Sequence, residues 1–332
     1  MDLSQKRVLV TGGAGFIGSA LVWALNRAGC RRIVVTDRLA STEKWRNLAP
    51  LDYEDYLEAD ELLARVRGGG LGAFDLVLHM GANSSTLETD AAHLIANNFE
   101  YTKSLAGWAL SRQIRFVYAS SAATYGDGSA GMDDGVERLD RYEPLNMYGY
   151  SKHLFDRYAH RHGLLERIVG LKFFNVFGAN EGHKGEMRSV VHKAFEQIRD
   201  TGRIRLFKSY RDEYKDGEQE RDFLYVKDAV AMTLHLATTP SAAGLFNIGS
   251  GRAHTWIELA TAVFDALDLP PKIEFIDMPE ELRARYQYHT RADLGRLQAS
   301  GYRMPITPLR DAVQDYVKNH LVPGAPLRPS AG

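Results

Sequence analysis

The chain has 332 residues, 45% hydrophobic and 25% charged, with a formal net charge of -1. That is the composition of a globular protein with a sizeable core, long enough for one large α/β domain or two intertwined lobes, and it lacks the basic excess of a nucleic-acid or anionic-membrane binder. The single cysteine, Cys30, rules out an intrachain disulfide and any cysteine-built metal cluster; with no apolar run of about 18 residues and no signal-like start, the expectation is a cytoplasmic protein with no metal, no membrane span and no nucleic-acid partner.

"KRVLVTG" begins the pattern with an apolar, β-rich run, and Gly12, Gly13, Gly15 and Gly18 lead from it into the amphipathic "FIGSALVWALNRAG". Strand, glycine turn and helix in that order suit a dinucleotide, because glycines let backbone approach a pyrophosphate and the helix start supplies N–H donors and positive dipole. "RRIVVTD" ends the next strand at Asp37, the distance at which a carboxylate reaches a ribose hydroxyl. Arg38 and Lys44 follow. Either alone reads equally well as solvated loop charge, but two cations there suit a 2′-phosphate, favouring NADP over NAD.

"GGGLG" at Gly68 to Gly72 is a connector before the strand "FDLVLHMGA"; a helical pattern from Ala91 to Arg112, the strand "IRFVYASS", the helix "YGYSKHLFDRYAHRHG" and the strand "IVGLKFFN" come next. This alternation predicts α/β architecture: a Rossmann-type, doubly wound parallel sheet over residues 1–178, completed by part of 224–250. Beyond Asn175 the regularity fades, and a smaller α/β substrate lobe is expected over 179–223 and 251–320. "KSYRDEYKDGEQERD" reads as a solvated hairpin or loop, and residues 321–332, "LVPGAPLRPSAG", as a flexible tail.

"YASSAATYG" sets hydroxyls at the carboxyl end of a strand, where open α/β sheets bind ligands. In "MYGYSKHLF", Tyr148 and Lys152 are four apart and share a helix face. Tyrosine is a poor acid or base near neutrality, with a pKa of about 10. A cationic neighbour is expected to lower it and to hold the cofactor ribose. Ser121 can bond the same substrate oxygen, so that the trio moves a proton while a nicotinamide moves a hydride.

With "TGGAGFIGS", "ASSAATYG", "PLNMYGYSK", "FFNVFGANEGHKGEM" and "ERDFLYVKD", the chain resembles the extended short-chain dehydrogenase/reductase family over nearly its full length, and within it the nucleotide-sugar epimerases. The resemblance implies a homo-oligomer acting on an ADP-heptose at C6″. It implies cofactor contacts at Gly12, Gly15, Phe16, Ile17, Gly18, Asp37, Arg38, Lys44, Met80, Gly81, Ala82, Asn83, Ser84, Asn97, Lys152, Val176 and Lys184. Around the sugar nucleotide it implies Ser121, Asn175, Glu186, Lys193, Phe207, Lys208, Ser209, Tyr210, Arg221 and Tyr286. Two positions depart from the family pattern: Ala59 stands where some relatives carry a cofactor-facing lysine, and Asn83 where they carry a cysteine.

An epimerase that removes and returns a hydride must meet the hydroxyl in two orientations, which one acid/base group serves poorly. The resemblance gives Lys184 the second role beside the catalytic Tyr148, Ser121 and Lys152. Gly182 and Gly185 permit a tight turn around it, and partial desolvation would lower its pKa. His183 competes, since its pKa is naturally closer to neutrality. A UDP-hexose 4-epimerase and a non-catalytic NAD(P)-sensing protein are the alternative functions; a 4,6-dehydratase is disfavoured because Ala122 and Ala123 stand where that chemistry wants an Asp-Glu pair.

Overall fold

The computed structural model describes residues 2–283 and 286–329. The amino-terminal part alternates strands β1 (Val8–Thr11), β2 (Ile33–Asp37), β3 (Asp55–Glu58), β4 (Leu76–His79), β5 (Arg115–Ser121) and β6 (Val169–Phe173) with helices α1 (Phe16–Arg27), α2 (Ala59–Gly68), α3 (Tyr101–Ser111) and α4 (Met147–Arg161). The helical pattern read from Ala91 becomes a short helix, a π-helical stretch over Ile95–Glu100, and then α3. Later come β7 (Asn175–Phe177), α5 (Val190–Thr201), β8 (Ile204–Phe207), β9 (Glu220–Arg221), β10 (Phe223–Tyr225), α6 (Val226–Thr238), β11 (Gly244–Ile248), β12 (His254–Thr255), α7 (Trp256–Ala266), β13 (Ile273–Ile276) and α8 (Leu309–Tyr316).

Every residue of β1, β4, β6 and β11 is buried, as expected of strands covered by helices on both faces. They belong to one seven-stranded parallel sheet in the order β11-β6-β5-β4-β1-β2-β3. This is the doubly wound fold that the alternation predicts. The chain runs outward from β1 through β2 to β3 and then returns to β4 on the other side of β1, so a crevice opens at the carboxyl ends of β1 and β4. In register, Thr11 pairs with Thr36 and His79, and Ser121 with Phe173, which sets Asp37, Met80 and Ser121 along one edge. Edge strand β3 is the element that apolar patterning did not reveal, because of "DYLE" only Leu57 is buried.

The segments expected to form a second lobe share the sheet's core: Val191 and Phe195 of α5, Leu259 and Val263 of α7 and Val313 of α8 belong to the same buried cluster as Val8, Val10 and Val35. Among the described residues three two-stranded pairings lie outside the seven-stranded sheet, β7 with β10, β8 with β13 and β9 with β12. No helix among the described residues is long and apolar enough to cross a membrane.

Two expectations need correction. The segment 321–329 is packed instead of frayed: Leu327 is buried, its amide donates to Asn180 Oδ1 at 3.0 Å, and Trp23 Nε1 donates to the Arg328 carbonyl at 2.9 Å. A single leucine anchor outweighs the prolines and glycine around it; residues 330–332 lie outside the described residues. The charged stretch ending in "QERD" is solvated only in part, since Gln219, Arg221 and Asp222 are buried. Asp222 is accommodated because it accepts from the amides of Ser250, Gly251 and Ala292 and from the Ser250 hydroxyl.

Candidate active site

The turn after β1 is pressed against the turn after β4. Gly12 has φ +64°, and a Cβ there would stand 2.7 Å from the Gly81 backbone, so only glycine allows this approach. Gly15, at the N-cap of α1, leaves that helix without a side-chain cap, and its first-turn amides are available to an anion. Asp37 braces the turn: Oδ2 accepts from the Ala14 and Gly15 amides, both at 3.0 Å, and Oδ1 from Lys44 Nζ at 2.6 Å and the Arg38 amide at 2.7 Å. The Arg38 guanidinium forms an exposed ion pair with Asp60 at 2.7 Å.

A cavity of about 490 Å³ opens over this turn. Gly12, Gly15, Phe16, Ile17, Gly18, Asp37, Lys44, Met80, Gly81, Ala82, Asn83, Ser84 and Val176 line it, and so do Ser121, Tyr148, Lys152, His183 and Lys184. Ser85, Ala119, Ser120, Phe173, Phe174 and Met187 also reach it. None of these was singled out from the sequence, although all fall within or beside its motifs: Ala119 and Ser120 in "ASSAATYG", Phe173, Phe174 and Met187 in "FFNVFGANEGHKGEM", and Ser85 next to Ser84.

Helix α4 is placed by its first turn. The Asn146 side chain caps the Gly149 amide at 2.8 Å, and Gly149 lies so close to the Ala123 carbonyl that a Cβ would stand 2.6 Å from it. That contact brings Tyr148 to Ser121. The phenol's pKa is nonetheless raised: burial pushes it up, and the hydrogen bond with Ser121 opposes. The expected lowering by a cation is not what this geometry does, because Lys152 donates to the Ala119 carbonyl at 2.9 Å. Burial lowers Lys152 to about 8, with the Asp156 carboxylate opposing.

Behind the trio lies an ion pair that no local pattern announces. The side chains of Lys172 and Asp156 are both fully buried and 2.9 Å apart. Asp156 also accepts from Tyr118 and Ser120, while Lys172 donates to Thr124, whose hydroxyl donates to the Ser121 carbonyl. The end of β5 is thereby fastened to α4. Asn98 does the same for the Asn83 segment, bonding its backbone N–H and C=O and reaching Ser151 of α4.

Lys184 sits in a 3-10 turn, Gly182–Met187, which follows β7 and contains Gly185 at φ +53°. Its Nζ lies 5.3 Å from the centroid of the Phe16 ring, and burial lowers its pKa while Glu181 opposes. His183 is pushed down to about 4, by burial first and then by the charges of Lys44 and Lys184; its Nδ1 is 3.3 Å from Asn47 Nδ2.

The remaining positions lie outside this cavity. Asn97 donates to Asn98 at 3.4 Å, and Asn175 is exposed on β7. Glu186 pairs with Lys193 at 3.3 Å. A separate cluster gathers the others: Lys208 and Tyr210 both reach Asp277 at 3.1 Å, Ser209 N donates to Asp216, and Gln219 reaches back to the carbonyls of Phe207 and Lys208. Next to Gln219 in sequence, Arg221 lies buried 5.0 Å from the Tyr286 ring and 5.6 Å from Trp256. Trp256 Nε1 donates to the Tyr286 hydroxyl at 2.8 Å.

Similarity to known proteins follows the same outline. The profile of the NAD dependent epimerase/dehydratase family matches residues 8–249. A protein of Nitratidesulfovibrio vulgaris named ADP-L-glycero-D-manno-heptose-6-epimerase is 50% identical over 96% of this chain and 99% of its own length. One of Fusobacterium nucleatum with the same name is 43% identical, covering 95% and 98%. Among solved structures, the Helicobacter pylori ADP-L-glycero-D-manno-heptose-6-epimerase superposes with a TM-score of 0.81 at 25% identity, covering 96% of this chain and 97% of that one. A glycine turn held by Asp37, a Ser-Tyr-Lys trio on the adjoining wall and near full-length identity to epimerases agree: this chain belongs to the NAD dependent epimerase/dehydratase family.

Proposed function

We propose that the chain epimerises ADP-D-glycero-β-D-manno-heptose at C6″ to the L-glycero form, with NADP tightly bound, for supply of heptose to the lipopolysaccharide core. The observation that carries this reading is that two proton carriers on separate elements, Tyr148 of α4 and Lys184 of the turn after β7, line one cavity beside the glycine turn. The names of relatives at 43% and 50% identity support the substrate.

The residues fit a dinucleotide, since the close-packed Gly12 turn and the uncapped start of α1 form a cradle that a side chain would fill. A bound nicotinamide supplies reversible hydride acceptance. Both oxygens of Asp37 already serve amides and Lys44, so a ribose 2′-hydroxyl would have to displace a partner. Arg38, in an exposed pair of little net worth, and Lys44 can meet a 2′-phosphate. This favours NADP, and chromatography of cofactor released from purified protein checks it; mostly NAD would reverse it.

In one epimer the proton of the C6″ hydroxyl passes to Tyr148 as phenolate, a form that burial disfavours and that a bound nicotinamide cation would favour, while Ser121 holds that oxygen and Lys152 would hold the cofactor ribose. In the other, the hydroxyl is served by Lys184, whose lowered pKa suits proton exchange. His183 is the weaker candidate, because it is depressed to about 4 and lies against Asn47. The Arg221, Tyr286 and Phe207–Tyr210 cluster is assigned to the ADP end, where a guanidinium suits diphosphate. A homo-oligomer belongs to the same proposal and is read by light scattering.

The decisive test is NMR of the ADP-heptose incubated with protein and no added cofactor. Conversion to the L-glycero epimer in deuterated water, with no deuterium at C6″, is the expected result. Deuterium at that carbon would mean carbanion chemistry, and turnover of a UDP-hexose in its place would favour the 4-epimerase alternative.

A further inference from the structure

Glu181 stands at the head of the turn that carries Lys184, and it is fully buried. A buried carboxylate is costly unless it is hydrogen-bonded or paired. Among the described residues it forms no salt bridge, and donors satisfy it instead. Oε1 accepts from the Gly178 amide at 3.3 Å and the Ser189 hydroxyl at 2.6 Å; Oε2 accepts from the Ser189 amide at 2.6 Å. The Tyr316 hydroxyl of α8 bonds to it as well.

These donors bracket the segment that holds Lys184. Gly178 follows β7 directly, and Ser189 is the N-cap of α5. Between them the Lys184 amide donates to the Glu181 carbonyl at 3.0 Å, so the lysine's backbone hangs from the residue whose side chain closes the loop. The titratable surroundings are few. Tyr316 also contacts His192 Nδ1 at 2.9 Å; Arg188 pairs with Glu196 at 2.6 Å; and Tyr225 and Arg188 lie within electrostatic reach of Tyr316. His192 and Lys184 are the groups on whose ammonium or imidazolium form Glu181 acts favourably.

We propose that Glu181 is a positioning residue for Lys184: its buried carboxylate closes 178–189 into one fixed turn and supplies the negative charge that keeps the Lys184 ammonium over Phe16. The inference rests on the reading of Lys184 as second proton carrier, and its sign is definite. Burial lowers the Lys184 pKa and Glu181 opposes. Removing that charge therefore lowers it further.

Competitive acylation of the full-length protein across a pH series, with the Lys184 peptide quantified by mass spectrometry, reads this directly and without turnover. In Glu181→Gln the labelling midpoint at Lys184 moves to lower pH, and in Glu181→Asp, which keeps the charge, it stays nearer the parent value. In the same Gln variant kcat falls on the order of 10- to 100-fold, as for a displaced catalytic group, with KM retained. Adding Lys184→Met to it costs no more than Lys184→Met alone. An unmoved midpoint in folded Glu181→Gln, or losses that multiply, would overturn the inference. If Glu181→Gln does not fold, Glu181→Asp, which keeps the charge but draws the carboxylate one methylene back from the Gly178 and Ser189 donors, must lower kcat with KM retained; an unchanged kcat overturns the inference equally. Full activity in Lys184→Met would instead sink the proton-carrier reading, while the labelling shift still decides whether Glu181 holds the lysine.

Discussion

The cavity over the glycine turn and the cluster around Arg221 are built in opposite ways. The first takes its walls from strand ends and from the helix starts or turns that follow them: β1 into α1, the ends of β2, β4 and β5, the first turns of α4, and the turn after β7. Neighbours in space are largely neighbours in motif. The second joins 207–210, Arg221, Trp256 and Tyr286, which reach one another only because β8 pairs with β13 and β9 with β12. On the proposed function, the contrast separates chemistry, placed on the rigid sheet edge, from recognition, placed on segments that can vary without disturbing that edge.

Variants of the two regions should accordingly fail differently. The largest effect is expected from Tyr148→Phe: turnover lost by about 100-fold or more, as general acid/base losses run, with folding and bound cofactor intact by circular dichroism and absorbance. Near-normal turnover would take Tyr148 out of the chemistry. Lys184→Met should be comparably severe, and the double variant little worse than the worse single one, since groups acting as a unit are non-additive. A raised KM with kcat unchanged would move Lys184 to the recognition side of the comparison.

The pH profile probes the same wall. With burial holding Lys152 at about 8, its ammonium is present below that pH and lost as pH rises through it. Activity should thus decline on the alkaline side, by roughly tenfold per pH unit once one proton is required. Lys152→Arg, which stays charged, should remove this limb; a limb that persists belongs to another group.

On the recognition side, Arg221→Lys keeps the charge but loses the planar fork. KM for the ADP-sugar should rise about tenfold, the scale of one hydrogen bond to a charged group, with kcat largely held. A fall in kcat at constant KM would erase the division between the regions. The smallest effect should come from neither: Leu327→Ala should cost about 2 kcal/mol of stability by thermal melting, at the low end for a buried leucine, and leave both kinetic constants alone.

Much of the first region was legible in the sequence because its signals are local. Glycines at fixed offsets, a carboxylate ending the second strand, and a Tyr-x-x-x-Lys pair on one helix face each need only a few residues of chain to express their geometry. Of the anticipated cofactor positions, only Arg38 and Asn97 do not line the cavity. Arg38 instead turns its guanidinium outward to Asp60 on α2, in an exposed ion pair. For Asn97 the reason is helical phase, because the π-helical stretch turns Asn98, not Asn97, into the buried position that bonds Asn83.

The alternation of apolar runs and helical patterns was enough to determine a doubly wound sheet, since a strand with two apolar faces has to be covered on both. The same local patterning could not supply what depends on burial, because burial is a property of the whole packed chain. Tertiary structure alone decided that Asp156 would meet Lys172, that Glu181 would lie wholly inside among amide and hydroxyl donors, and that Leu327 would fasten a segment that reads as tail. It also decided the direction of the Tyr148 pKa: sequence spacing put a cation one helical turn away, but desolvation of the phenol outweighs it, and Lys152 is turned toward the Ala119 carbonyl.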